Sequence, residues 1–299
     1  SKMKNDLVKA ALLGSASALG VNWIYDRTLL LDLSKKENML FRAIDHVLYK
    51  KAEHGFDVYP NHLVGQLDFM GEFLYFFHFF YRYEKDLTVQ RWMDDLYAYF
   101  REDYEYDGYI ESYGKAFLKD YKDALEQSKE PNEVTDHIDK QLGGLIFPLV
   151  LFYNNRSVDK LQDSLRYSKT ITIYKNIEPL QKMLLYVLSN LDNRDNLNKI
   201  LNDSLMFAPS EYKLSLSNAL LKSDTNEFIK NDAGVACDIS QSLPLIYHIL
   251  SKSTSWEQAL SLNATLGGAS SARGIFISAI LSLVYDIPKE YDELLYYKI

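Results

Sequence analysis

Asp68 and Glu72 lie four residues apart in a stretch that otherwise reads as a helix, so both carboxylates fall on one face, one turn from each other. That spacing suits a shared metal ion or acid–base work, in which one carboxyl donates a proton while another group accepts it. The commoner reading of such a pair is two acids turned toward solvent or a cation. Glu111 is a third carboxylate, two residues after Tyr109, and Asp26 closes the run Trp23-Ile24-Tyr25, whose rings serve either as packing or as a platform for a flat ligand. Cys237 is the one cysteine; a nucleophilic thiol needs a base beside it, none adjoins it in sequence, and it reads as an inert thiol. The densest polar stretch is Gly267-Gly268-Ala269-Ser270-Ser271-Ala272-Arg273-Gly274. Gly267 and Gly268 let the backbone come close to another group, and Ser270 or Ser271 can cap the helix that follows. Arg273, in the first turn at the positive end of that helix, calls for an anion: an internal carboxylate such as Asp26, Asp68 or Asp238, or a bound phosphate. No side chain is assigned a catalytic role.

The elements that must position these groups are helical throughout. Small residues Gly14, Ser15, Ala16 and Ser17 cluster late in a first helix predicted over 5–19 and permit close contact with another helix. An irregular loop over 53–65 precedes an aromatic helix over 67–83, carrying Phe69, Phe73, Phe76, Phe77 and Phe80. Asp68, Glu72, His78 and Arg82 interrupt that helix, so its apolar run is too short to cross a bilayer. Residues 87–102 read as helix and 102–107 as a solvated acidic patch; 122–136 reads as an exposed loop. Pro244 suits a first turn with Ser242 as its cap. Behind the double glycine, Ile275, Phe276, Ala279, Ile280 and Leu283 recur at helical spacing.

The chain has 299 residues, 47% of them hydrophobic, with only 13 glycines and 7 prolines and no run of strict alternation. This predicts an all-α fold in a single domain spanning 1–299. A net charge of -8 with no basic stripe argues against a nucleic-acid partner. With a lone cysteine and no positively charged apolar leader before Met3, the expected setting is cytoplasmic, with no membrane partner.

Several of these segments together resemble the ADP-ribosylglycohydrolase family, which includes the J-type crystallins. Gly267, Gly268, Ser270, Ala272, Arg273 and Gly274 match one branch of its C-terminal signature, Trp23-Ile24-Tyr25-Asp26 matches its N-terminal tetrad, and Gly108-Tyr109-Ile110-Glu111 is similar to a Gly-Tyr-Ile-Asp on the rim of its substrate cleft. The resemblance implies hydrolysis of ADP-ribosyl glycosidic bonds at a pair of magnesium ions. The positions of the metal-binding aspartates, however, hold Ser17, Gln66, Ala269 and Ser271, and Leu145 replaces an arginine. Hard dications want several carboxylate oxygens, so no metal site and no cofactor are expected. Three readings follow: a catalytically inactive or weakened homologue that binds a small nucleotide-like ligand or a protein partner; an active hydrolase of ADP-ribosyl or related bonds using Asp68, Glu72 or Glu111; or a structural, crystallin-like protein. The ligand-binding set is Asp26, Asp68, Glu72, Tyr109, Glu111, Gly267, Gly268, Ser270, Ser271 and Arg273.

Overall fold

A computed structural model describes residues 6–299. The predicted helix start at Asn5, and the segment before Met3, lie outside them. All regular structure among the described residues is helical: α1 (Leu7–Ala18), α2 (Arg27–Ser34), α3 (His46–Lys51), α4 (Phe69–Tyr83), α5 (Val89–Phe100), α6 (Ser112–Glu126), α7 (Phe147–Asn154), α8 (Lys160–Ser168), α9 (Ile177–Asn190), α10 (Arg194–Ser204), α11 (Ser210–Leu221), α12 (Thr225–Asn231), α13 (Ile239–Lys252), α14 (Trp256–Leu266), α15 (Ser270–Leu281) and α16 (Lys289–Asp292). The all-α expectation holds. Extended pairing is confined to three isolated bridges, Ile24 with Gly55, Ile24 with Gly268, and Gln141 with Asp238.

Aspartates start many of these helices. Asp6, Asp26, Asp45, Asp68, Asp159, Asp224 and Asp238 each sit at an N-cap and accept a first-turn backbone N–H, a contact worth about 1 kcal/mol apiece. Asp238 also corrects the expected start of α13. Its cap begins the helix at Ile239, which leaves Pro244 inside the helix and Ser242 bonded back to the Asp238 carbonyl. The loop expected over 122–136 begins later, because α6 runs on to Glu126.

At the centre α1 lies against α15, and both are buried along nearly their whole length. The small residues are what let them meet. A Cβ on Gly14 would come within 1.9 Å of the Gly274 carbonyl oxygen, and one on Gly274 within 2.3 Å of the Gly14 oxygen. Hydroxyls complete the seam: Ser278 donates to the Ala10 carbonyl, Trp256 Nε1 donates to Ser278 Oγ at 2.8 Å, and Ser271 Oγ donates to the Ser15 carbonyl at 2.9 Å. Around this pair one apolar cluster draws on residues from Leu7 to Tyr291, with a smaller cluster under α2 and α3. The aromatic helix α4 supplies its densest part, Phe73 and Phe77 both meeting Trp92 and Phe147 edge-on.

Gly14→Ala should therefore destabilise the protein, although alanine is the better helix former. The added methyl overlaps a carbonyl that cannot move without the whole of α15, and overpacking of this kind costs about 1–3 kcal/mol. A drop in the urea midpoint at unchanged slope is the expected readout; an unchanged midpoint would show that the two helices can part freely.

Candidate functional site

The loop after α1, the turn between α14 and α15, and the segment before α13 are laced together through main chain. Trp23 N donates to Gly268 O at 2.8 Å, Gly268 N to Ile24 O at 2.8 Å, and Ala269 N to Val235 O at 2.9 Å. Gly267 and Gly268 take φ of 83° and 69°, and a Cβ on Gly268 would stand 1.9 Å from the Val235 oxygen. The double glycine is thus a genuine break, as expected, required by both its left-handed backbone and the close approach of Val235.

The serines behind it do not cap α15. That helix begins at Ser270 with Ala269 at the N-cap, which has no acceptor; Asn22 Oδ1 serves from across the chain, accepting the Ser271 N–H at 3.1 Å. Ser271 Oγ is turned to Ser15, and Ser270 Oγ is buried without a partner. Arg273 also departs from expectation. Fully buried, it meets no carboxylate: its guanidinium donates to Asn263 Oδ1 at 2.8 Å, Gly267 O at 2.6 Å, Asn263 O at 3.2 Å and Val235 O at 3.2 Å. Burial pulls its pKa down to about 9. Carbonyl dipoles replace the anion, and Arg273 fastens both strands of the glycine turn.

The carboxylates are equally engaged. Asp26 caps α2 through Leu29 N at 3.1 Å and ties down Glu53 N at 3.1 Å. Asp68 caps α4 through Gly71 N at 2.9 Å and accepts from Ser15 Oγ at 2.7 Å. Glu111 stands at the start of α6 without capping it and accepts the Tyr113 hydroxyl at 2.8 Å. Glu72 takes the hydroxyl of Tyr297, from the C-terminal segment, and its Oε2 is buried and unpartnered. The solvent-facing reading of Asp68 and Glu72 is overturned: each is 3% exposed. Desolvation pushes the pKa of Asp68 up to about 6, of Glu72 to about 7 and of Glu111 to about 8, with the charge of Asp68 adding to the last two.

Aromatic rings gather beside them. Tyr109, half-buried, meets Trp23 edge-on at 5.2 Å and Tyr59 at 6.3 Å, with Lys115 Nζ 4.9 Å from its ring. Tyr25 meets Phe56 edge-on at 6.1 Å. Burial, then the charge of Glu111, pushes the Cys237 thiol up to about 11 against the lowering effect of Trp23 and Tyr25 beside it, consistent with an inert cysteine. Trp23 itself has φ of 62°, rare for a bulky residue; it is held there by its own N–H on Gly268 and by Phe56 N donating to its carbonyl at 3.0 Å.

The donor set does not fit a magnesium pair. Ser17 Oγ donates to Gly14 O at 2.8 Å, and Gln66 Oε1 accepts Leu63 N at 2.7 Å to brace its own loop. Ala269 offers nothing, and Asp68 is the one acid buried at the α4 junction beside Ser15. Among the described residues, three carboxylate, imidazole or thiol ligand atoms converge only at Asp120, Asp136 and His137, in the region of the 127–138 loop and away from this site.

No family model and no curated protein matches the sequence. Among solved structures, the fold matches an "ADP-ribosylglycohydrolase-related protein complex" with a TM-score of 0.67, over 97% of this chain and 91% of that one, at 12% identity. The likeness is one of fold. The ADP-ribosylglycohydrolase-like architecture places Asp68, Glu111, Tyr109, Trp23 and the glycine turn around one locus, with Asp26 behind it as a loop clip. Sequence reasoning overlooked Ser15, Asn22, Asn263, Tyr59, Tyr113 and Tyr297. The cluster of small residues around Ser15 was the one available signal; Asn22 and Tyr297 act on segments far away in sequence, while Asn263, Tyr59 and Tyr113 act across turns whose geometry no local rule fixes.

A pH dependence follows from these burials. Histidines held neutral by burial, His62, His78 and His248, favour folding as pH rises toward their unfolded value of about 6.5, opposing the carboxyls below that pH. From pH 6.5 to 8 the opposing effect of the histidines fades within about one pH unit, and the carboxyls prevail. A raised carboxyl pKa gives stability that is fully present below the unfolded value, about 4.3, and is lost as pH climbs through the folded one. Chemical denaturation should show stability falling by about 1–2 kcal/mol over that interval. Glu111→Gln, which can still accept from Tyr113, should flatten most of the fall, and an equally steep profile in that variant would refute the assignment.

Proposed function

We propose that the chain is a catalytically silent protein of the ADP-ribosylglycohydrolase-like fold that retains the cleft mouth as a binding site for a small nucleotide-like ligand. The observation that carries this reading is the engagement of the cleft acids: Asp68 is committed to Ser15 and Gly71, and Glu111 to Tyr113, while Gln66, Ser17 and Ser271 make neutral internal bonds where the resemblance would put metal ligands. A hard dication placed there would lose hydration that neutral amide and hydroxyl oxygens do not restore. Binding is favoured by Trp23, whose ring stands beside Tyr109 on a backbone held at a φ of 62°.

Glu111 supports a second reading. A carboxyl held protonated near neutrality is equipped to act as a general acid without a metal. The two readings separate in one pair of measurements, calorimetry with magnesium chloride and with ADP-ribose, and an assay for ADP-ribose release from a modified protein. The silent reading expects no heat from magnesium, ADP-ribose binding that is independent of magnesium and weakened about tenfold or more in Trp23→Ala through loss of a stacking ring, and no release. Magnesium-dependent turnover overturns it, and magnesium-independent release that vanishes in Glu111→Gln establishes the second reading in its place.

A further inference from the structure

Away from the cleft, α4 and α5 part to form a groove of about 350 Å³ whose far wall is the segment around 104–105. Every lining side chain but Ala98 is aromatic or a carboxylate, and none is cationic. Three of the rings are strongly exposed for their size, Phe79 at 53%, Tyr83 at 63% and Tyr104 at 50%. Phe79 and Tyr83, one turn apart, pack at a tilt with centroids 4.8 Å from each other.

Exposed aromatic walls with acids between them have one natural ligand chemistry. The face of a ring carries negative potential and attracts a guanidinium or ammonium, and a carboxylate nearby adds a direct charge. The protein's own arginines already use both kinds of wall from outside the groove. Arg101 sits 4.5 Å over the Tyr104 ring, and Arg91 Nε lies 3.3 Å from Glu84 and 3.4 Å from Asp95. Glu105, on the opposite lip, has no ion pair among the described residues and stands next to the acidic 102–107 run. Along α4 the groove runs from Phe76 to Glu84, about 12 Å at the helical rise per residue. That is longer than a single cationic head group and fits three or four residues of extended chain.

We propose that this groove docks a segment of a partner protein in which arginine or lysine alternates with apolar side chains, the rings of Phe79, Tyr83 and Tyr104 receiving the apolar stems and Glu105 with its neighbours the charge. The surface is independent of the cleft, so it stands or falls apart from ligand binding there.

Fluorescence anisotropy tests it with a labelled nine-residue peptide of alternating leucine and arginine, the same peptide with glutamine for arginine, and two free cations, arginine amide and tetramethylammonium. The arginine peptide should bind; affinity should fall about tenfold in the double variant Phe79→Ser, Tyr83→Ser and several-fold in Glu105→Gln. All three side chains are exposed, so the thermal midpoint should stay close to that of the parent. Equal binding of the glutamine peptide would show a purely apolar dock, and undiminished affinity in the double variant would show diffuse attraction to an acidic protein. Protection of the same residues by tetramethylammonium or arginine amide at the peptide's own affinity would make it a small-cation pocket, and each of these results overturns the proposal. So does the absence of arginine-peptide binding at millimolar concentration.

Discussion

Gly14 and Gly274 touch backbone to backbone, and the positions of the polar groups around them depend on that contact. Because α1 and α15 approach closely, the Ser15 carbonyl can receive Ser271 Oγ from one side while the Ser15 hydroxyl reaches Asp68 on the other. Asp68 in turn fixes the first turn of α4. A chain of three helices is thus set by hydroxyls too short to reach if the central pair stood one methyl group further apart. The glycine turn works by the same logic at the other end of the locus: Gly268 must lie against Val235, and only then can Arg273 bond to Gly267 and Val235 at once.

The locus holds ionisable groups without pairing opposite charges. Isolated ions in an apolar interior are costly, and the usual remedies are an ion pair or a change of protonation state. Arg273 takes neither: its ring of carbonyl acceptors solvates the cation with dipoles, although burial still lowers its pKa. The acids take the second remedy. Glu72 and Glu111 lie against tyrosine hydroxyls, and their pKa values rise into the neutral range, so at neutral pH Glu111 is mostly and Glu72 about half an uncharged carboxyl. This is also why they make poor metal ligands; a dication would have to expel the proton and displace a tyrosine from each.

Parts of this arrangement were legible in the sequence because they rest on local rules. The double glycine announced a break, the small residues of α1 announced a close helix neighbour, and helical spacing with few prolines announced an all-α chain. What was illegible depends on how turns and distant segments bring partners together. Arg273 at a helix start argues for an anion on local electrostatics alone, yet Asn263, Gly267 and Val235 supply carbonyl oxygens that no local rule anticipates. Asp68 and Glu72 read as a solvent-facing pair because acids usually are; their burial follows from Ser15 and Tyr297, which lie 53 and 225 residues away. The start of α13 was misplaced for a different reason, since Asp238 and Ser242 are both competent caps and propensity does not choose between them.

The C-terminal segment adds a constraint on how anything could reach the locus. Tyr296 N donates to the Gly65 carbonyl at 3.0 Å, and a Cβ on Gly65, whose φ is 92°, would stand 1.9 Å from the Leu294 oxygen. Tyr297 then packs at a tilt on Tyr75, centroids 5.0 Å apart, and closes over Glu72. Lys9 to Asp292 at 2.9 Å, and Tyr291 to Glu257 at 2.7 Å, hold the same segment against α1 and α14. With the loop before α4 pinned from outside in this way, the carboxyl of Glu72 is shut off on its own side. On the opposite edge the rings of Trp23, Tyr59 and Tyr109 gather beside Asp68 and Glu111, so the two acids are walled by aromatic side chains on that side, and their bonds to Ser15 and Tyr113 order those walls.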